Sequence, residues 1–124
     1  MKMSRVELGI RGALQFYEAF KGHDVAGMGQ WLSDDCLLET SEPAPDGRVV
    51  LGKEAVMRYW QDLLRESPEV QIEIEDIFGM GMRVVARRRM TWVEAPGAQK
   101  SVRGVDILRI KNGLISEILV YQKG

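Results

Sequence analysis

The sequence predicts an α+β fold in which three N-terminal helices cover one face of a mainly antiparallel sheet. Three observations carry this. Before residue 67, apolar side chains recur at three- and four-residue steps in three separate segments, the period of a helix with one buried stripe. After Val70 the period falls to two, because strand side chains alternate across a sheet. Asn112-Gly113, the dipeptide that best tolerates the positive φ angles of a type I′ turn, then joins the last two runs as a β-hairpin.

Ser4-Arg5-Val6-Glu7 fits a capping box, so the first helix starts there. Its stripe is Val6, Ile10, Ala13, Leu14, Tyr17 and Phe20, with Leu8 and Phe16 lying off it and Gly22 suited to a left-handed C-terminal cap. Asp24 can cap a short second helix that carries Val25, Met28, Trp31 and Leu32 on one side, although Gly27 and Gly29 weaken it by about 1 kcal/mol each. Ser33-Asp34-Asp35 reads as a turn into a strand, Cys36 to Thr40. Ser41 to Val50, with Pro43, Pro45 and Asp46-Gly47, reads as a long loop able to cover a pocket.

Gly52 opens the third helix, whose buried side is Val56, Tyr59, Trp60, Leu63 and Leu64; Ser67-Pro68 closes it, since a residue before proline disfavours helix. Val70, Ile72 and Ile74 form a strand face that Ile77 leaves, which predicts a bulge near Asp76. Reversals at Gly79-Met80-Gly81 and at Ala95 to Ala98 bound a strand from Arg83 to Val93. The terminal hairpin follows, Gln99 to Lys111 and Leu114 to Gln122. Counting outward from its turn pairs Ile110 with Ile115, Leu108 with Glu117 and Asp106 with Leu119. This count sets Asp106, Leu108, Ile110, Ile115, Leu119 and Tyr121 on one face.

Asp106 breaks that apolar face. A carboxylate among Leu and Ile is costly to bury ionised and must find a partner or hold its proton, which makes Asp106 the first candidate for acid/base chemistry. Tyr17 points the same way from the first helix. In Arg87-Arg88-Arg89, alternation sends Arg88 to the face of Met90 and Trp92, where it can pair with Asp106 or hold a substrate; the flanking arginines suit Glu73 and Glu75. Trp60, Met90 and Trp92 are core residues that can also wall a ligand cavity. The sole histidine, His23, reads as an exposed connector.

A chain of 124 residues is expected to form one domain, residues 1–124. Its 17 basic and 18 acidic residues create no field for nucleic acid or an anionic membrane, and no run approaches the roughly 20 apolar residues of a membrane span. Cys36 stands alone, and MKMSRVELGI lacks the apolar run of a leader, which sets the expectation of a reduced, cytoplasmic setting. One histidine and one cysteine cannot build the usual zinc sets, and no phosphate loop or Ser/His/Asp grouping is present. No metal or cofactor is expected.

Several short segments in this order resemble the SnoaL-like branch of the nuclear transport factor 2-like (NTF2-like) superfamily. They are Phe16-Tyr17-Glu18-Ala19-Phe20, His23-Asp24, Leu32-Ser33-Asp34-Asp35-Cys36, Gly52-Lys53-Glu54-Ala55-Val56, Gly104 to Ile110 and Asn112-Gly113-Leu114-Ile115. The resemblance runs from about Leu14 onward. It implies a cone-shaped, curved, mixed but mainly antiparallel sheet, also termed cystatin-like, with three helices over its concave face. By resemblance to Δ5-3-ketosteroid isomerase, Tyr17 stands at the oxyanion-hole tyrosine and Asp106 at the aspartic acid kept neutral to donate a hydrogen bond. Thr40 falls where that enzyme has its general base and cannot take a proton; Glu39 should face away, and Glu42 could swing in from the loop. Resemblance to polyketide cyclases assigns Asp106 acid/base work in an aldol closure.

The resulting expectation is a protein that binds a small apolar or carbonyl-containing molecule, with isomerase- or cyclase-like chemistry carried by Asp106 and Tyr17. Trp60, Arg88, Met90, Trp92 and Thr40 are expected to contact the ligand. The alternatives are a non-catalytic ligand- or protein-binding module and an epoxide hydrolase or dehydratase using Asp106 with Arg88. A closed cone with Asp106 bridged to Arg88 favours the binding module; an open cavity lined by Asp106 and Tyr17 favours catalysis. Val105, Ile107, Ile118 and Val120 alternate on what should be the outer sheet face, which predicts a homodimer through it.

Overall fold

A computed structural model describes residues 4–123; residues 1–3, which open the stretch weighed as a leader, and Gly124 lie outside the described residues. The elements are α1 (Arg5–Lys21), α2 (Val25–Gly29), β1 (Leu32–Glu39), β2 (Val49–Leu51), α3 (Lys53–Glu66), β3 (Gln71–Met80), β4 (Arg83–Ala95), β5 (Ala98–Lys111) and β6 (Leu114–Gln122). The six strands form one curved sheet in the order β2-β1-β6-β5-β4-β3. Only β1 and β6 run parallel, so the sheet is mixed and mainly antiparallel, as the sequence implied.

Helix α1 starts where Ser4 accepts the Glu7 N–H at 3.1 Å. It lies over β3 and β4, while α3 lies over β1. Between these helices and the sheet sits the core, in which Phe16 meets both Tyr17 and Trp60 edge-on with centroids 5.2 Å apart. Phe16 is therefore inside, whereas Leu14, placed on the buried stripe by periodicity, is 38% exposed. The stripe is centred one residue away from the predicted line.

At the end of α1 the left-handed residue is His23 (φ 55), not Gly22 (φ −82). His23 is half-buried, with Nε2 2.7 Å from the Val70 carbonyl, so it ties the helix end to the start of the sheet instead of standing exposed. Trp31 and Leu32 leave the short α2, and β1 begins at Leu32 because residues 33–35, read as a turn, continue the strand through a register shift. At the end of the predicted loop and one residue past it, Val49 to Leu51 pair antiparallel with Leu37 to Glu39 as a short edge strand. The bulge near Asp76 is present, between Ile74 and Asp76.

The largest correction lies in the terminal hairpin. Ile110 pairs with Ile115, but Arg109 then pairs with Glu117, leaving Ser116 as an extra residue on β6. Every later residue of β6 is turned over. Leu108 faces Ile118 and Asp106 faces Val120, so Ile118, Val120 and Gln122 point inward while Leu119 and Tyr121 point out. Asp106 itself stays on the inner face, because β5 carries no insertion.

Candidate functional site

Inside the cone is a cavity of about 520 Å³ that opens to solvent past the exposed side chains of Glu42, Arg48 and Glu66. Its walls mix apolar side chains, Phe16, Phe20, Trp60, Met90, Trp92 and Val120 among them, with polar ones. Asp106, Arg88 and Tyr17 line it too, at 5%, 3% and 2% exposure. Strand geometry brings them together. On β4 and β5, Ala86 pairs with Asp106 and Arg88 with Gly104, so Arg88 lies diagonally from the carboxylate on the same face. Tyr17 descends on them from α1.

The Tyr17 hydroxyl donates to Asp106 Oδ2 at 2.7 Å, and Arg88 Nε–H is shared between Oδ1 and Oδ2, each at 3.1 Å. Oδ1 thus accepts one hydrogen bond and keeps a second acceptor site. Burial pushes the Asp106 carboxyl above its ordinary value, against the pull of the Arg88 charge and of the hydrogen bonds from Tyr17 and Arg88. Burial, and then the negative charge of Asp106, lift the Tyr17 hydroxyl well above 10, so it stays a donor at neutral pH.

Room for the guanidinium comes from Gly104. A Cβ there would stand 3.3 Å from Arg88 Nη1 and 2.9 Å from the Tyr121 carbonyl oxygen. Across from Gly104 lies Gln122, whose Oε1 is 3.4 Å from Arg88 Nη1 and whose Nε2 donates to Ser41 Oγ at 2.7 Å. Gln122 thus joins the buried pair to the loop of residues 41–48. Sequence reading missed it because the Ser116 insertion had not been foreseen. It also took Tyr59 only for core, whereas the Tyr59 ring borders the cavity with Arg48 stacked 5.6 Å from its centroid.

The structure brings together Asp106, Tyr17, Arg88, Trp60, Met90, Trp92 and Thr40 around one cavity. Thr40 contributes wall more than chemistry. Its hydroxyl donates to the Glu42 carbonyl at 2.7 Å and accepts the Arg48 N–H at 3.1 Å, which folds the loop back on β1. Arg89 and Arg103 both reach Glu75 outside the cone, at 3.5 and 3.2 Å. Among the described residues no group of three or more His, Cys, Asp or Glu could hold a metal ion, and no helix is long and apolar enough to cross a membrane.

A family model described as SnoaL-like domain matches residues 13–118. No protein of curated function matches the chain. Among solved structures, an NTF2-like protein of unknown function from Mesorhizobium loti is 29% identical with a TM-score of 0.83, covering 100% of this chain and 98% of its own. A protein from Kribbella flavida assigned as a ketosteroid isomerase superposes with a TM-score of 0.82 at 17% identity, over 99% of this chain and 83% of its own. One from Jannaschia assigned as a SnoaL-like polyketide cyclase gives 0.84 at 14% identity, over 99% and 91%. At such identities the last two likenesses concern the fold.

Proposed function

The chain belongs to the SnoaL-like domain family, and from that premise we propose that it binds a small apolar or carbonyl-containing molecule in its cone and moves protons on the carbon next to a carbonyl. One observation carries the reading: the Asp106 carboxylate, held by Arg88 and Tyr17, borders an open cavity that Phe16, Trp60, Met90 and Trp92 also line. Asp106 is the acid/base. Its raised proton affinity brings it nearer the working range of a general base, and Tyr17 and Arg88 hold it in place. In the step itself a C–H bond α to the carbonyl breaks, the proton passes to Asp106, and the electron pair makes the enolate. Return of the proton to another carbon gives an isomer; attack of the enolate carbon on a second carbonyl of the same molecule closes a ring, and the proton on Asp106 passes to the alkoxide formed there.

Trp60, Met90, Trp92 and Thr40 contact the ligand in this reading, Arg88 stands beside it, and no cofactor takes part. The setting is cytoplasmic and the protein a homodimer through the outer sheet face. A second reading, a non-catalytic binding module, is favoured by the commitment of the Thr40 hydroxyl to the loop and by the pairing of Asp106 with Arg88. An epoxide hydrolase or dehydratase needs another carboxylate beside Asp106. The other acidic residues lining the cavity do not supply it: Glu42 and Glu66 are exposed at the mouth, and Asp62 is paired with Arg65 at 2.6 Å.

The test is hydrogen exchange on a bicyclic ketone, 2-tetralone, in D2O, followed by proton NMR. The wild type should speed loss of the α-proton signal over buffer, and Asp106→Asn should abolish the gain while the ketone still binds. Binding without any exchange by the wild type selects the non-catalytic module. Absence of both binding and exchange removes the small-molecule reading.

A further inference from the structure

Arg88 has more hydrogen-bonding capacity than Asp106 uses. Of its five N–H groups, Nε–H goes to the carboxylate and one on Nη1 reaches Gln122 Oε1 at 3.4 Å. The remaining three meet no acceptor among the described residues, although the side chain is 4% exposed and lines the cavity. Among the described residues the one buried side-chain atom without a partner is Arg89 Nε, so the free donors of Arg88 are not sealed in protein but open to an acceptor that enters the cavity. The gap over Gly104 and the Gln122 amide set where the terminal nitrogens lie.

We propose that the terminal nitrogens of Arg88 form a subsite for a ligand oxygen, that Gln122 positions it, and that the oxygen belongs to a neutral carbonyl compound and not to a carboxylate. This rests on the small-molecule reading above and specifies its substrate class.

Charge decides between the two kinds of oxygen. Arg88 and ionised Asp106 sum to zero. Arg48, the other cation lining the cavity, is exposed at the mouth, so a carboxylate on Arg88 would add a net negative charge to the buried pair, whereas a carbonyl leaves the sum unchanged. The sum also stays at zero through proton transfer. As Asp106 takes the α-proton and becomes neutral, the negative charge moves to the carbonyl oxygen, which sits on the same guanidinium. Arg88 therefore faces the base before the step and the enolate after it, without a change in the buried charge.

The test uses three probes of one shape, read by quenching of the cavity tryptophans Trp60 and Trp92: 2-acetylnaphthalene, 2-ethylnaphthalene and 2-naphthoate. Wild type should bind the ketone at least tenfold more tightly than the hydrocarbon and more tightly than the acid. The C=O stretch of the bound ketone should move to lower frequency. Arg88→Met/Asp106→Leu, which removes both ends of the pair and so leaves no orphaned charge, should bind ketone and hydrocarbon within twofold of each other and lose the frequency shift. Gln122→Leu keeps the pair and should lose the ketone preference several-fold. Equal binding of ketone and hydrocarbon by wild type, a ketone preference that survives the double variant, or tighter binding of the acid each overturns the subsite while leaving the cavity reading intact. Failure of all three probes to bind overturns the cavity reading, and the subsite with it.

Discussion

A carboxylate on an apolar strand face announces itself, and Asp106 was legible for that reason: its inward direction follows from alternation along β5 alone. Its partners differ in legibility. Tyr17 and Arg88 follow from periodicity on their own elements, but the 2.7 and 3.1 Å contacts that make them one unit come from the packing of α1 on the sheet. Both partners stabilise the ionised carboxylate, so removing either raises its pKa further. In Tyr17→Phe the Asp106 carboxyl carbon, followed by 13C NMR, should titrate at higher pH than in wild type; a midpoint that falls or stays fixed contradicts the hydrogen bond. Arg88→Met alone leaves the carboxylate buried without a counter-ion and should cost about 3–5 kcal/mol in urea unfolding, whereas Arg88→Met/Asp106→Leu should cost far less. The pH profile separates them. Because the folded pKa of Asp106 lies above its ordinary 3.8, the folded state holds this proton more tightly than the unfolded chain. Its contribution is complete below 3.8 and is lost as pH rises through the folded pKa. Relative to the double variant, wild type should therefore lose stability with rising pH across that window and run parallel to it above.

At the scale of elements, every helix and five of the six strands could be read from spacing and breakers, with ends displaced by a few residues. Two features resisted. The Ser116 bulge inserts one residue into β6 with no compositional sign, since Ser116 is an ordinary strand residue whose hydroxyl donates to the Arg109 carbonyl at 3.3 Å only once the hairpin has formed. The inner face of that strand beyond the bulge was inverted as a result, with Leu119 and Tyr121 expected in place of Ile118, Val120 and Gln122. The other feature is β2, too short for any periodicity and formed because β1 offers it an edge. Thr40 holds the intervening loop on that edge with two short hydrogen bonds. Thr40→Val keeps the shape and removes both, leaving the Glu42 carbonyl and the Arg48 N–H without that partner. It should lower stability by about 1–2 kcal/mol in urea unfolding. Amide exchange should quicken in residues 41–48 more than in β5; a uniform effect would deny the loop this anchor.

For the molecule as a whole, the order of elements gave three helices over one face of a mainly antiparallel sheet, because helices that carry one apolar stripe and strands that carry one apolar face have few ways to cover each other, while the cone and its mixed pairing came only with the family resemblance. What order could not give was the composition of the outer face. Ile118 and Val120, read as exterior, are turned inside by the bulge, and Leu119 and Tyr121 replace them. The corrected face is still apolar. Phe78, Val85, Ile107 and Leu119 are cross-strand neighbours from β3 to β6, a row across four strands, with Phe78 51% exposed and Tyr121 53% exposed beside it. A monomer leaves this row in water, where the solvated face of an antiparallel sheet is ordinarily polar, and an exposed apolar patch of this kind marks an interaction site. A second copy would cover it by laying the same row against its own, the self-complementary contact of a two-fold dimer. Sedimentation at micromolar concentration should give twice the chain mass for wild type. Ile107→Lys, which puts a charge at the middle of the row without touching the cavity, should give a folded monomer. A wild-type monomer, or a dimer that tolerates the lysine, means that the outer face is not the interface.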